Sequence, residues 1–258
     1  MLTKTVARIM LVNVIGLFLS MLDPALVYNL QLIPARLPTA PWTLITYQFL
    51  HAGFAHLFFN MLGLYFFGPR LEARLGSRAF LGLYLVSGLV GAIVHIGYAA
   101  AFSPIGLIVP MVGASGAVFG VLLAYSKFWP DHRILLWFVL PMRARVFVLV
   151  LTMLSLWSGL GGAGDNVAHF AHLGGFVGGW LYLRWRETRS PAQKFKREVE
   201  RNAPSDTRRL SGLWKKINPE KMHWVNRGEY DRIKTKLDEA GFASLTEREK
   251  AFITRFSA

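Results

Sequence analysis

The chain has 258 residues, 53% hydrophobic and 17% charged, yet 29 Lys and Arg against 15 Asp and Glu leave a net charge of +14. Soluble domains average about 45–50% apolar and ~25% charged residues, so a mean hydropathy of +0.36 argues against an ordinary water-soluble globule. The lack of cysteine excludes disulfides, thiolate metal sites, iron–sulfur clusters and a cysteine nucleophile. The charge is unevenly spread: only 10 of the 29 basic and 4 of the 15 acidic residues fall in residues 1–183, and the rest crowd the last 75.

Taken in chain order, six apolar stretches suit membrane spans, at about 8–22, 52–68, 79–102, 112–129, 144–160 and 167–185, since a bilayer core of roughly 30 Å needs ~20 apolar residues. Lys4 and Arg8 before the first stretch also fit a signal peptide. That stretch ends in Leu22-Asp23-Pro24 without a small-x-small cleavage site, so it reads as a span. The run Ile134 to Leu140 is too short to cross and is closed by Pro141, Arg143 and Arg145, which places it at an interface. Cytoplasmic loops are rich in Lys and Arg. With the amino terminus inside, Lys4, Arg8, Arg70, Arg74, Arg78, Lys127, Arg133, Arg143 and Arg145 all lie inside and Arg36 alone lies outside. Both termini are therefore expected in the cytoplasm.

Polar groups within apolar spans carry a penalty, about 2.5–3.5 kcal/mol for an ionised residue on insertion scales. His51 and His56 open the second span with Asn60 one turn on, His95 lies in the third, and His169 and His172 open the sixth. Each one alone is more simply read as an interhelical hydrogen bond. Depth adds information, because spans two, four and six all run inward. At 1.5 Å per residue, His56 and Asn60 fall about 6 and 12 Å below the start of span two, and Ser115 and His172 about 5–8 Å down theirs. The four share one layer.

Ser115 stands in Gly113-Ala114-Ser115-Gly116 ahead of an apolar run. A serine there is most simply a helix cap, and Gly-x-Ser-Gly recurs by chance. A helix start nevertheless offers unpaired N–H groups and a positive dipole end, which suit a nucleophile whose attack creates an oxyanion. Glycines pair at four-residue spacing (Gly116 with Gly120, Gly174 with Gly178, Gly175 with Gly179), a pattern that lets membrane helices pack closely.

These residues resemble the rhomboid family of intramembrane serine proteases. The resemblance is carried by His51 with His56-Leu57-Phe58-Phe59-Asn60, Glu72-Ala73-Arg74-Leu75-Gly76, Gly113-Ala114-Ser115-Gly116 and Ala171-His172-Leu173-Gly174-Gly175, in order and on the matching spans. It implies an all-α membrane protein with a six-transmembrane-helix rhomboid-like bundle. It further implies a nucleophile at Ser115, a general base at His172 with no third acid, and an oxyanion hole from His56, Asn60 and the backbone N–H of Ser115 and Ala114. His169, one turn before His172, is the rival base; the Leu173-Gly174-Gly175 that follows favours His172. The family often carries Trp-Arg in its first outer loop, whereas Trp42 is followed here by Thr43. The glycine-rich outer stretch from Gly159 to Asn166 is either a cap over the site or a connector. Glu72 and Arg74, on the cytoplasmic side, read as a structural hydrogen-bonding element.

The domain reading is a protease body over 1–185, a basic linker over 186–218 and a helical hairpin over 219–258, with helices near 222–239 and 246–256. The second helix is opened by a Thr246–Glu249 capping box. Expected partners are transmembrane protein substrates and membrane lipids, with no nucleic acid, since acidic residues interleave the tail. No cofactor is expected. Length and the lack of a targeting extension point to a bacterial inner membrane. Two other readings stand beside the protease: a catalytically silent relative that binds membrane clients, and a metal or haem protein using His51, His56, His95, His169 and His172.

Overall fold

The computed structural model describes residues 1–136, 140–161, 169–190 and 205–257. The glycine-rich stretch before the sixth apolar segment lies mostly outside them. The chain divides into two compact units, Met1–Glu187 and Thr188–Ala258.

The first unit is built from α1 (Lys4–Leu22), α2 (Pro24–Leu30), α3 (Thr43–Thr46), α4 (Phe54–Leu75), α5 (Ser77–Phe102), α6 (Ser115–Phe128), α7 (Ala144–Gly161) and α8 (His169–Thr188). Helices α1, α4, α5, α6, α7 and α8 overlie the six apolar stretches. By length and composition, α1 and α5 can cross a membrane, and Thr43–Phe49 with Phe54–Leu75, bent by 94°, make a third crossing if taken as one broken span. One departure from an all-helical body lies between α6 and α7. The short apolar run there forms a two-stranded antiparallel hairpin, β1 (Arg133–Leu136) and β2 (Leu140–Arg143).

The core runs from Val6 and Ile9 of α1 through Leu64 and Leu71 of α4 and Phe80 and Leu83 of α5 to Val121 of α6 and Val148 of α7. Glu72, 6% exposed, ties three helices at one end of it. The Thr5 and Val6 N–H groups, which open α1 and lack intrahelical acceptors, donate to its carboxylate at 3.1 and 2.9 Å. The Thr3 and Ser77 hydroxyls donate as well. Gly76, at φ +82°, makes the sharp turn from α4 into α5. The structural role read for Glu72 is thus that of a cap borrowed by α1 from α4.

Among its described residues the second unit holds three α-helices, α9 (Ser205–Trp214), α10 (Trp224–Ala240) and α11 (Glu247–Phe256). The capping box at Thr246 and Glu249 opens α11. Helix α9 falls inside the stretch read as linker. Its polar composition hides an amphipathic face, and Leu210 is buried with Ile217, Met222, Ile233, Leu245 and Ile253.

Candidate active site

The segment entering α6 is pinned on both sides. Leu32 and Met111 exchange backbone hydrogen bonds of 3.1 and 2.8 Å, and the Gly113 N–H donates to the Tyr47 carbonyl at 3.0 Å. Gly113 takes φ +133°, a conformation that side chains disfavour. A Cβ there would also meet the His56 ring, 2.7 Å from Cε1 and 2.8 Å from Nε2. The turn needs glycine for its backbone and for its neighbour. Buried Ala114 follows as the helix cap, its carbonyl accepting the Val118 N–H at 2.9 Å. Ser115 is then the first residue of α6, where N–H groups have no intrahelical acceptor.

His172, in the first turn of α8, stands with Nε2 2.8 Å from Ser115 Oγ. Two glycine stripes, one residue out of step, bring it there by packing on two different helices. A side chain on Gly175 would strike the Gly116 carbonyl, and one on Gly179 would reach the Gly120 backbone at 2.9 Å, so this stripe lies against α6. One on Gly174 would meet Gly91 at 2.8 Å and one on Gly178 would meet Ser87 at 2.9 Å, so the other lies against α5. His169 is a turn away, its ring edge-on to His172 with centroids 6.0 Å apart and its Cβ beside Gly159 of α7.

On α4, His56 faces Gly113. Its Nδ1 is 3.5 Å from the Ala52 N–H, an orientation that leaves Nε2 toward the serine turn. Asn60 is buried one turn below and donates one amide hydrogen to the His56 carbonyl at 2.8 Å, so half of its donor capacity is spent within the helix. His51, buried just before α4, packs edge-on against His56 at 5.1 Å and stands behind it. The structure thus gathers Ser115, His172, His56 and Gly113, with Asn60 and His51 supporting from α4 and its approach. Among the described residues no three of His, Asp and Glu converge as metal ligands.

Three sets of contacts escaped the sequence reading. Phe119 stacks flat on His172, centroids 4.3 Å apart and planes 20° apart; it lies four residues after Ser115, the spacing that puts two side chains on one helix face. Tyr47, besides receiving Gly113, donates its hydroxyl to the Gly88 carbonyl at 2.7 Å, which locks the turn to α5. Arg36 donates to the Tyr28 carbonyl at 2.6 Å and lies over that ring, while the Trp42 indole donates to the Asn29 carbonyl at 2.9 Å. Both contacts tie the segment before α3 back onto α2, with Arg36 six residues before Trp42. Beside the site a cavity of about 450 Å³ is lined by Leu17, Met21, Leu50, His51, Phe54 and Val112.

The family model for the rhomboid domain matches residues 38–186, more than half of the chain, with His51, His56, Asn60, Ser115 and His172 among them. The chain belongs to the rhomboid family. It is 36% identical over 146 residues to Rhomboid protein 1, mitochondrial, of Saccharomyces cerevisiae, covering 56% of this chain and 41% of that one. It is 36% identical over 140 residues to Rhomboid protease GluP of Bacillus subtilis, covering 54% and 25%. RHOMBOID-like protein 12, mitochondrial, of Arabidopsis thaliana is 35% identical over 147 residues, covering 52% and 43%. The chain spans less than half the length of each of these rhomboids. Their matched region is the helical body, so this rhomboid is an integral membrane protein of a family that includes proteases.

Proposed function

We propose that the chain is an intramembrane serine endopeptidase that cuts transmembrane substrates near the outer face of the membrane with a Ser115–His172 dyad. The body crosses six times with both termini in the cytoplasm, as the distribution of Lys and Arg requires. The observation that carries the reading is the 2.8 Å contact of His172 Nε2 with Ser115 Oγ at the start of α6.

In the reaction His172 takes the Oγ proton as Ser115 attacks the scissile carbonyl, then returns it to the leaving amine. The flat contact with Phe119 holds the imidazole plane, so Nε2 stays aimed at Oγ. Charge develops on the carbonyl oxygen beside the free N–H groups of α6 and the His56 Nε2 that faces Gly113. Asn60 retains one amide hydrogen for the same purpose. Water then attacks the acyl-enzyme with His172 again as base. The glycine at 113 lets an extended substrate strand lie close to the serine, which favours substrate helices that unwind easily.

A serine-reactive fluorophosphonate on the detergent-solubilised protein, paired with cleavage of a model transmembrane substrate, tests this. The wild type should label and cleave, and Ser115→Ala and His172→Ala should do neither. His56→Ala should cleave roughly 10²-fold more slowly, the usual effect of losing one oxyanion donor. Labelling that survives Ser115→Ala, or a wild type that cleaves no substrate, would sink the proposal; the second result with client binding intact would identify a silent relative.

A further inference from the structure

The hairpin between α6 and α7 stands at the end of α6 away from Ser115. Its register sets Arg133 opposite Arg143, Ile134 opposite Met142 and Leu135 opposite Pro141. Side chains alternate along a strand, so Ile134 and Met142 share one face, and the two arginines share the other with Leu135 and Pro141. The first face turns inward, with Ile134 packed on the main core and Met142 half-buried. The second is open. Leu135 is 58% exposed, and Arg133, Pro141 and Arg143 are exposed as well.

The open face works against the hairpin's own stability. Like charges directly across two strands repel, and Arg143 and Arg145 also sit beside the positive end of α7. The compensation is thin. Asp131 Oδ1 lies 3.4 Å from Arg143 and 2.9 Å from Arg145, and among the described residues Arg133 forms no ion pair. Neighbouring cations are engaged elsewhere: Lys127 pairs with Glu187 at 2.6 Å, Arg70 covers Trp129 and Arg74 covers Phe128. Two arginines opposed across the strands, with an exposed leucine and proline two pairs nearer the tip on the same face, match one surface chemistry, a phosphate plane bordering acyl chains.

We infer that this face is a docking surface for anionic phospholipid of the cytoplasmic leaflet, one phosphate bridging Arg133 and Arg143 with Leu135 and Pro141 seated at the acyl boundary. The inference rests on the proposed topology and not on the dyad. Opposed residues in an antiparallel pair stand about 4.5–5.5 Å apart at Cα, which lets two planar forks converge on one phosphate. A basic residue near an anionic leaflet contributes ~1 kcal/mol. A free phosphate would satisfy the arginines and leave Leu135 in water, so the apolar pair selects the lipid.

Because the chain has no cysteine, Leu135→Cys gives a single nitroxide position in the full-length protein. It is read in nanodiscs of phosphatidylcholine alone and with one quarter phosphatidylglycerol. Phosphatidylglycerol should draw the label from contact with a water-soluble relaxing agent into contact with oxygen, and Arg133→Gln with Arg143→Gln should reverse that shift. The preference for bound phosphatidylglycerol, measured by native mass spectrometry, should fall about fivefold for each arginine removed, the equivalent of ~1 kcal/mol. A label equally wet in both lipids, an unchanged preference in the double variant, or glycerol phosphate reproducing the shift without anionic lipid would overturn the inference. So would labelling of the same cysteine from outside intact cells, which sinks the topology too. Cleavage sensitive to Ser115→Ala, followed in the same discs, reports on the dyad separately.

Discussion

The two units bury a glutamate each and satisfy it by opposite means. Glu72 in the membrane body accepts from neutral donors, the N–H groups of Thr5 and Val6 and the hydroxyls of Thr3 and Ser77. Glu249 in the second unit, 1% exposed, is held by Lys236 at 2.8 Å, Arg232 at 2.9 Å and the Thr246 N–H at 2.7 Å. Helix contacts differ in the same direction. Backbone meets backbone where α8 crosses α5 and α6, while Leu210, Ile233 and Ile253 interdigitate side chains. In the body, dipoles and close backbones do what cations and branched side chains do in the second unit.

Four changes would break or sharpen that contrast. Glu72→Ala should be the most damaging, by about 4 kcal/mol, since it strands two N–H groups at ~1–3 kcal/mol each; thermal unfolding in detergent reads this, and added salt should leave the wild-type value unmoved. Ile253→Ala should destabilise the second unit by about 3 kcal/mol, seen as faster hydrogen exchange in α10 and α11 with α4 to α6 unchanged. Gly175→Ala should push α8 from α6 and slow substrate cleavage roughly tenfold to a hundredfold, as ångström-scale misplacement of a catalytic group does, while leaving stability of the second unit alone.

Acid gives the smallest effect. The Lys236 hydrogen bond and the Thr246 backbone hold the Glu249 carboxyl down at about 2, against 4.5 ordinarily. A depressed value means its stabilisation is complete above pH 4.5 and is lost as pH falls from there toward 2. Exchange in α11 should accelerate over that window, and Glu249→Gln should flatten the response. An unchanged profile in Glu249→Gln would assign the acid sensitivity to other groups.

Much of the site was legible because its residues are chemically out of place. A serine between glycines and histidines in apolar spans stand out against their surroundings, and the glycine spacing announced close helices. Phe119 gave no such signal, since one more aromatic in an apolar helix looks like core; only its i+4 offset from Ser115 marked it. Arg36 was visible as the lone outer arginine, but its partner Tyr28 is joined by a loop whose path composition does not encode. Helix α9 was missed because polar residues lead its sequence and its apolar face is short, Leu210 with the partly buried Leu213 and Trp214. The hairpin was not seen: Pro141 and the arginines marked only the end of an apolar run, and the pairing of its strands did not show in so short a stretch.

Helix α6 has 14 residues, about 21 Å at 1.5 Å each, against a hydrocarbon thickness of roughly 30 Å. On the proposed topology its far end lies at the inner surface, and its first residue stops some way short of the outer one. The shortfall acts as a ruler. Under the proposed function a substrate peptide bond would have to descend by that distance to meet Ser115, and an intact helix keeps its own carbonyls occupied on the way down. Lengthening α6 by one turn would raise the floor of the site toward the headgroups, so under the proposed function the depth of cutting would be written in a count of residues with no chemistry of their own.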